Sequence, residues 1–258
     1  MSELQHPDSR AFELVADVYE RARPGYPAEA VAWAAEKLEL KEGRTALDLG
    51  AGTGKLTRSL IETGATVIAV EPGDAMLEQL KRAVVGVKAL RGAAESIPLP
   101  DASVDAVTVG QAFHWFRHEE AVPEIRRVLR SQGGVALLWN SRDQEAPLQQ
   151  EISKLIAPWV TAGATRPDSS TELTLAGLFG PIEERHFAFV DELDEDGLAE
   201  RRVHQLRRRC ARGCPPRDRG RREGGGTPAG WSCRLPLRNG GLRQPRGVIA
   251  TSSPPSSS

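Results

Sequence analysis

Two acids, Asp48 and Glu71, bracket three glycines, Gly50, Gly52 and Gly54, in a chain of 258 residues. Glycines at this spacing bend the backbone tightly and let its N–H groups approach a nucleotide. Three chemistries compete for such a turn. A phosphate loop needs G-x-x-x-x-G-K-[ST], yet Leu49 stands five before Gly54 and Leu56 follows Lys55. A dinucleotide fingerprint, G-x-G-x-x-G, needs glycine where Lys55 stands. What remains is a strand ending in Asp-Leu-Gly, a G-x-G-x-G turn and a helix. A carboxylate at Asp48, beside the helix start, disfavours phosphate and suits an ammonium group. Glu71 falls 17 residues past Gly54, where an acid can accept hydrogen bonds from both hydroxyls of an unphosphorylated ribose. The ligand so described is a nucleoside with an amino-acid-like end, and S-adenosylmethionine fits it.

Strands and helices must hold these groups in place. "TALDL" (45–49), "TVIAV" (66–70), "VKAL" (87–90), "VDAVTV" (104–109) and "VALLW" (135–139) read as strands. They are apolar on both faces, as strands covered by helices must be. Between them, Leu56, Leu60 and Ile61 share a helical face, as do Met76, Leu77, Leu80 and Val84, and Val122, Ile125, Val128 and Leu129. The alternation predicts an α/β fold: a doubly wound, mostly parallel sheet with helices on both faces. Ahead of it, residues 11–40 read as two helices broken at Pro24 to Pro27. Behind it, Ile152, Leu155 and Ile156 mark another helix, and "HFAFV" (186–190) a sixth strand.

Composition divides the chain near residue 200. From there on it carries 14 Arg, no Lys, and only Asp218 and Glu223 as acids, whereas the first 200 residues carry 20 basic and 33 acidic groups. All three cysteines, Cys210, Cys214 and Cys233, lie in the basic part. A body without cysteine, signal peptide or long apolar span is expected to be cytoplasmic and to have no membrane partner. Residues 201–258 are rich in Arg, Gly, Pro and Ser and predict a disordered tail. A nucleic-acid partner is not expected, since the tail lacks lysine and has no interleaved aromatics beyond Trp231. Cys210 and Cys214 lack a second pair, so no metal site is read there. Nothing in the sequence sets the oligomeric state.

Four stretches, "ALDLGAGTGKL", "VIAVEPGDAML", "LRGAAESIPLPDASVDAVTVGQAFHWF" and "EIRRVLRSQGGVALLWN", in that order, resemble the successive motifs of class I S-adenosylmethionine-dependent methyltransferases. The similarity covers roughly residues 10–200. It is strongest to the small-molecule, type 11-like branch whose fourth strand ends in Gln-Ala-x-His-Trp-Phe. The resemblance implies a Rossmann-like methyltransferase fold with S-adenosyl-L-methionine as cofactor and a small-molecule methyl acceptor. It places Gly50, Gly52 and Gly54 against the methionine part, with Asp48 reaching its amino group. Glu71 and Pro72 would lie at the ribose, Ala94 and Glu95 beside adenine, and Gln111 would close the pocket. Tyr19, Arg21 and Tyr26 resemble an N-terminal lid (residues 1–40) on a catalytic domain of residues 1–200.

Several of these positions keep two readings. His114 follows the fourth strand, where ligands of open α/β sheets sit; it is either a general base or, with Trp115 and Phe116, a pocket wall. Tyr19, His114 and Trp115 are the expected substrate contacts. Glu95 reads also as a solvated acid at a helix start, Arg21 as a surface charge, and Glu124 with Arg126–Arg130 as a solvated helix face. Two other functions stay open: a non-catalytic module binding S-adenosylmethionine or RNA, and an NAD-dependent oxidoreductase, which Lys55 disfavours. The resembling sheets end in an antiparallel strand, and no apolar run after residue 190 supplies one, so this strand is expected to be missing. One choice of codons, read one base out of register, turns 202–213 into an apolar helix-like run and 239–245 into an alternating strand. The tail is therefore expected to be a frameshift product.

Overall fold

Strands that are apolar on both faces are stable only between two layers of helix, and the chain builds that sandwich. The computed structural model describes residues 25–140, 150–151, 154, 182–190 and 243–252. The first half runs α1 (Ala28–Lys37), β1 (Thr45–Leu49), α2 (Lys55–Ile61), β2 (Thr66–Glu71), α3 (Asp74–Ala83) and β3 (Lys88–Arg91). There follow β4 (Val104–Gly110), a 3-10 turn (Phe113–Trp115), α4 (His118–Val128) and β5 (Leu129–Asn140). Ile182–Val190 forms β6 and Arg243–Ser252 forms β7. The seven strands make one sheet, ordered β3-β2-β1-β4-β5-β7-β6. Strands β1 to β5 are parallel, and β7 runs antiparallel to both β5 and β6.

Register sorts large and small side chains onto opposite faces. Leu47, Val107 and Val135 are neighbours across β1, β4 and β5, and so are Ala46, Ala106 and Gly134. The bulky row packs with Val122, Ile125 and Val128 of α4. The small row lies under α1 and α2, where Val31, Trp33, Leu56 and Leu60 complete a second cluster. Small residues there let the helices sit close to the sheet. Strand order reverses between β1 and β4, which opens a crevice at their carboxyl ends, the usual ligand position in such sheets.

The doubly wound, mostly parallel sheet with helices on both faces is as the sequence implies, but four details differ. The antiparallel strand expected to be missing is present: β7 pairs Gly247 to Ser252 with Asn140 to Val135 and fills the place between β5 and β6. Its signal is the short β-branched run Val248, Ile249, Thr251, hidden by the surrounding Arg, Pro and Ser. Strand β5 starts at Leu129, not 135, so α4 runs directly into it. Ile61 is 41% exposed and lies outside the buried face of α2. Glu124 and Arg127 are not a solvated face. Arg127 donates to Glu124, Asp101 and the carbonyls of Ile97 and Leu99, and Glu124 accepts the Ile97 N–H at 2.9 Å. Together they tie α4 to the loop before β4. The helix expected around Ile152, Leu155 and Ile156, and lid residues Tyr19 and Arg21, lie outside the described residues. Among the described residues no helix is long and apolar enough to cross a membrane.

Candidate functional site

The turn after β1 is pinned to its neighbour strand as it leaves the sheet. The N–H groups of Gly50 and Ala51 both donate to the Val70 carbonyl, at 2.8 and 3.1 Å. Gly50 takes φ +70°, and a Cβ there would lie 2.7 Å from Ala112 Cβ, so both backbone and space demand glycine. The middle of the turn is held by Glu71. Its Oε2 accepts the Gly52 N–H at 2.8 Å and its Oε1 accepts the Gly73 N–H at 2.9 Å. Both oxygens of the carboxylate thus brace the turn. Gly54 then opens α2.

Asp48 is fully buried at the end of β1. Thr57 of α2 donates its hydroxyl to Oδ2 at 2.6 Å, while Oδ1 is buried without a hydrogen-bond partner. Burial pushes this carboxyl from 3.8 up to about 7; the Thr57 bond opposes the rise and the Glu71 charge adds to it. A buried carboxyl poised near neutrality, with one oxygen unmatched, is built to meet a cation.

Asp48 is among the residues that line a cleft at the β1–β4 crossing. Its lining comprises Asp48, the turn Gly50–Thr53, and Lys55 and Leu56 of α2. Gly110 at the end of β4, Gln111 just after it, Asn140 at the end of β5, and Tyr26 complete it. The Tyr26 hydroxyl sits directly over Gly110, where a Cβ would come within 2.4 Å of it. Gln111 holds a left-handed φ of +58°, a conformation that costs a non-glycine residue energy and clusters at functional sites. Its N–H donates to the Leu138 carbonyl at 2.9 Å and its Nε2 to the Asn140 carbonyl at 3.0 Å.

The structure thus gathers Asp48, Gly50, Gly52 and Gln111 of the expected site around one cleft. Glu71 stands behind the turn as its brace, followed by half-buried Pro72. Ala94 is buried in the core. Glu95 is half-buried and does not line the cleft: its Oε1 accepts the Arg117 N–H at 2.8 Å, at the start of α4. His114 and Trp115 lie on the 3-10 turn after β4, their rings 4.7 Å apart, and neither lines the cleft. Trp139 is core. Sequence reasoning missed Thr57, Lys55 and Asn140. Asn140 had a signal, as the polar residue that ends an apolar strand at the sheet's ligand-binding end. Thr57 had none, because only folding brings it to Asp48.

Strand order, glycine turn and cleft position define a Rossmann-like methyltransferase fold. Comparison with known proteins agrees. Residues 47–137 match the model of the methyltransferase domain family Methyltransf_11. It is 47% identical over 148 residues to the uncharacterized methyltransferase Rv3342 of Mycobacterium tuberculosis, covering 57% of this chain and 59% of that one. An uncharacterized methyltransferase of Schizosaccharomyces pombe is 43% identical over 148 residues, with the same coverage. The match therefore spans about three fifths of the length of these relatives. Among solved structures, an S-adenosylmethionine-dependent methyltransferase of Thermotoga maritima superposes with TM-score 0.54 at 19% identity, covering 95% of this chain and 99% of that one. The YcgJ protein of Bacillus subtilis gives 0.53 at 19%, covering 89% and 99%. At that identity the likeness is one of fold.

Glu71→Ala removes both bonds that hold the glycine turn. The expected loss of folding stability is roughly 1–3 kcal/mol, from the buried Gly73 N–H left unsatisfied and the half-buried Gly52 N–H losing its acceptor, and denaturant titration measures it.

Proposed function

We propose that this protein is an S-adenosylmethionine-dependent methyltransferase acting on a small molecule. One observation carries the reading: the buried carboxyl of Asp48, its Oδ1 unmatched, among the residues that line a glycine-walled cleft. An unpaired buried acceptor costs folding energy unless a ligand pays it back with a donor, and an ammonium group does so while neutralising the charge. The same acid argues against pyrophosphate, and so against NAD or a nucleoside triphosphate. The residues lining the cleft fit the amino-acid end of the cofactor: Asp48 would take its ammonium and the Gly50–Thr53 turn would surround the methionine part. By the resemblance, Glu71 and Pro72 would serve the ribose and Ala94 and Glu95 the adenine. When bound, S-adenosylmethionine supplies a methyl group activated by a sulfonium.

The chain's own contribution is position. The turn braced by Val70 and Glu71, and the strained Gln111, shape the cleft lining before any ligand arrives. Alignment of two reactants in a pre-formed site is worth several kcal/mol of barrier. His114, outside the cleft lining but on the turn next to it, is the residue assigned to receive a proton from the methyl acceptor, with Trp115 and Tyr19 as further acceptor contacts. Incubation with methyl-labelled S-adenosylmethionine and a panel of small amines, hydroxyl compounds and carboxylic acids tests the reading. Labelled product together with S-adenosylhomocysteine supports it. Tight binding with no transfer to any acceptor would make the protein a binding module instead.

A further inference from the structure

We propose that Thr57 is a positioning residue of this cleft: its hydroxyl claims one oxygen of Asp48 and so keeps that carboxylate set to receive a cation; this rests on the cofactor reading above. Thr57 is the third residue of α2 and is wholly buried. A threonine on a helix commonly turns its hydroxyl back to the carbonyl four residues earlier. This one donates across to Asp48 Oδ2 on β1 at 2.6 Å. The neighbours of Asp48 in the sheet do not offer a substitute. They are Ala69 on β2 and Thr108 on β4. Ala69 has no polar side-chain atom, and the Thr108 hydroxyl donates to the Leu47 carbonyl at 3.2 Å. A hydroxyl has a single proton to give, so Thr108 has none left for Asp48.

A donated hydrogen bond favours the charged form of a carboxyl over the neutral one. At Asp48 burial works the other way and takes the group up to about 7; the Thr57 hydroxyl is the largest influence holding it down, helped by the Thr57 main chain, while the Glu71 charge adds to the rise. Without the hydroxyl, Asp48 keeps its proton to higher pH, and an ammonium meets a neutral acid. The bond also settles which oxygen remains. Oδ2 is committed to α2, and Oδ1 is left without a partner. Three other titratable groups stand near: Glu71 from β2, and Lys55 of α2 and Tyr26 from the segment before α1, which line the same cleft. All three are kept when only Thr57 is changed, so a shift between variants reports on Asp48.

The test follows S-adenosylhomocysteine binding to the full chain by calorimetry from about pH 6 to 8.5, around the range in which Asp48 titrates, for wild type, Thr57→Val and Thr57→Ser. Valine keeps the shape and loses the hydroxyl; serine keeps the hydroxyl. In Thr57→Val the fall in affinity toward low pH should set in about one pH unit higher, because a hydrogen bond to a charged group is lost. Affinity is then about tenfold below wild type at the low end of the range and within about twofold at the high end. Thr57→Ser should follow the wild-type profile within about threefold. 5′-Methylthioadenosine, which lacks the amino-acid end, checks that the site is intact and should bind all three proteins equally. A loss in Thr57→Val that is the same at every pH, or that methylthioadenosine shares, would overturn the proposal, since it would mark Thr57 as packing alone. Coincident profiles for wild type and Thr57→Val would overturn it too, and leave the cofactor reading standing. No S-adenosylhomocysteine binding by the wild type at any pH overturns that reading and this proposal with it.

Discussion

Asp48→Asn is expected to weaken S-adenosylhomocysteine binding by roughly 3 kcal/mol, about a hundredfold, while stabilising the empty protein. The two effects share one cause. The carboxylate is held in a buried site where it is costly alone and valuable with a cation beside it. In the variant, the Thr57 hydroxyl donates to the amide oxygen, which turns the amide N–H₂ toward the cleft, where it opposes an ammonium. For stability, the unfolded carboxyl gives up its proton near 3.8 and the folded one near 7. Between those values the native state holds a proton that the unfolded state has released. Stability of the empty wild type therefore falls as pH rises through this window, by roughly 4 kcal/mol at most from this group. Asparagine removes that slope. Denaturant titrations of both proteins at pH 5 and pH 8 measure it: the wild type should lose stability relative to the variant at pH 8. Binding shows the opposite trend. Wild-type affinity for S-adenosylhomocysteine should fall about tenfold per pH unit below 7, as a proton competes for Asp48, and the variant should show no such fall. Parallel profiles for the two proteins would remove Asp48 from the site.

Gly50→Val should be the most damaging single change in the turn, at roughly 3–5 kcal/mol of folding stability. A β-branched residue at φ +70° is strained in itself. Its Cβ would also meet Ala112 at 2.7 Å, and the bonds from Gly50 and Ala51 to Val70 leave the turn no room to retreat. Gly52→Ala separates strain from clash. Gly52 has φ +58° with nothing within 4 Å of a Cβ, so alanine should cost only about 1–2 kcal/mol. Chemical denaturation of the two variants side by side reads the difference. Equal costs would mean that Ala112 gives way.

What the sequence makes legible follows from how local each signal is. Leu47 with Ala46, and Val107 with Ala106, alternate large and small within a continuous apolar run, and such runs announce buried parallel strands whatever follows them. Asp48 and Glu71 stand at fixed offsets from the glycines, so their place at the strand ends could be read directly. Their partners could not. Thr57, Gly25 and Asn140 become neighbours of the cleft only when α2, the segment before α1, and β5 converge, and no short-range pattern records that. Glu71 was legible as an acid at the ribose position, but its bonds to Gly52 and Gly73 depend on two backbones meeting. Strand β7 was missed for another reason: its β-branched residues are few and set among arginine, proline and serine, and pairing with β5 and β6 outweighs that composition. Arg127 looked solvated because a charge run on a helix usually is; three partners on the loop before β4, Ile97, Leu99 and Asp101, make it an anchor.

The most direct measurement of the central claim is calorimetric titration of the intact protein with S-adenosylhomocysteine, NAD and ATP at pH 8, where Asp48 is charged. The account predicts stoichiometric binding of S-adenosylhomocysteine and no binding of the other two. Binding of NAD or ATP without binding of S-adenosylhomocysteine would contradict it.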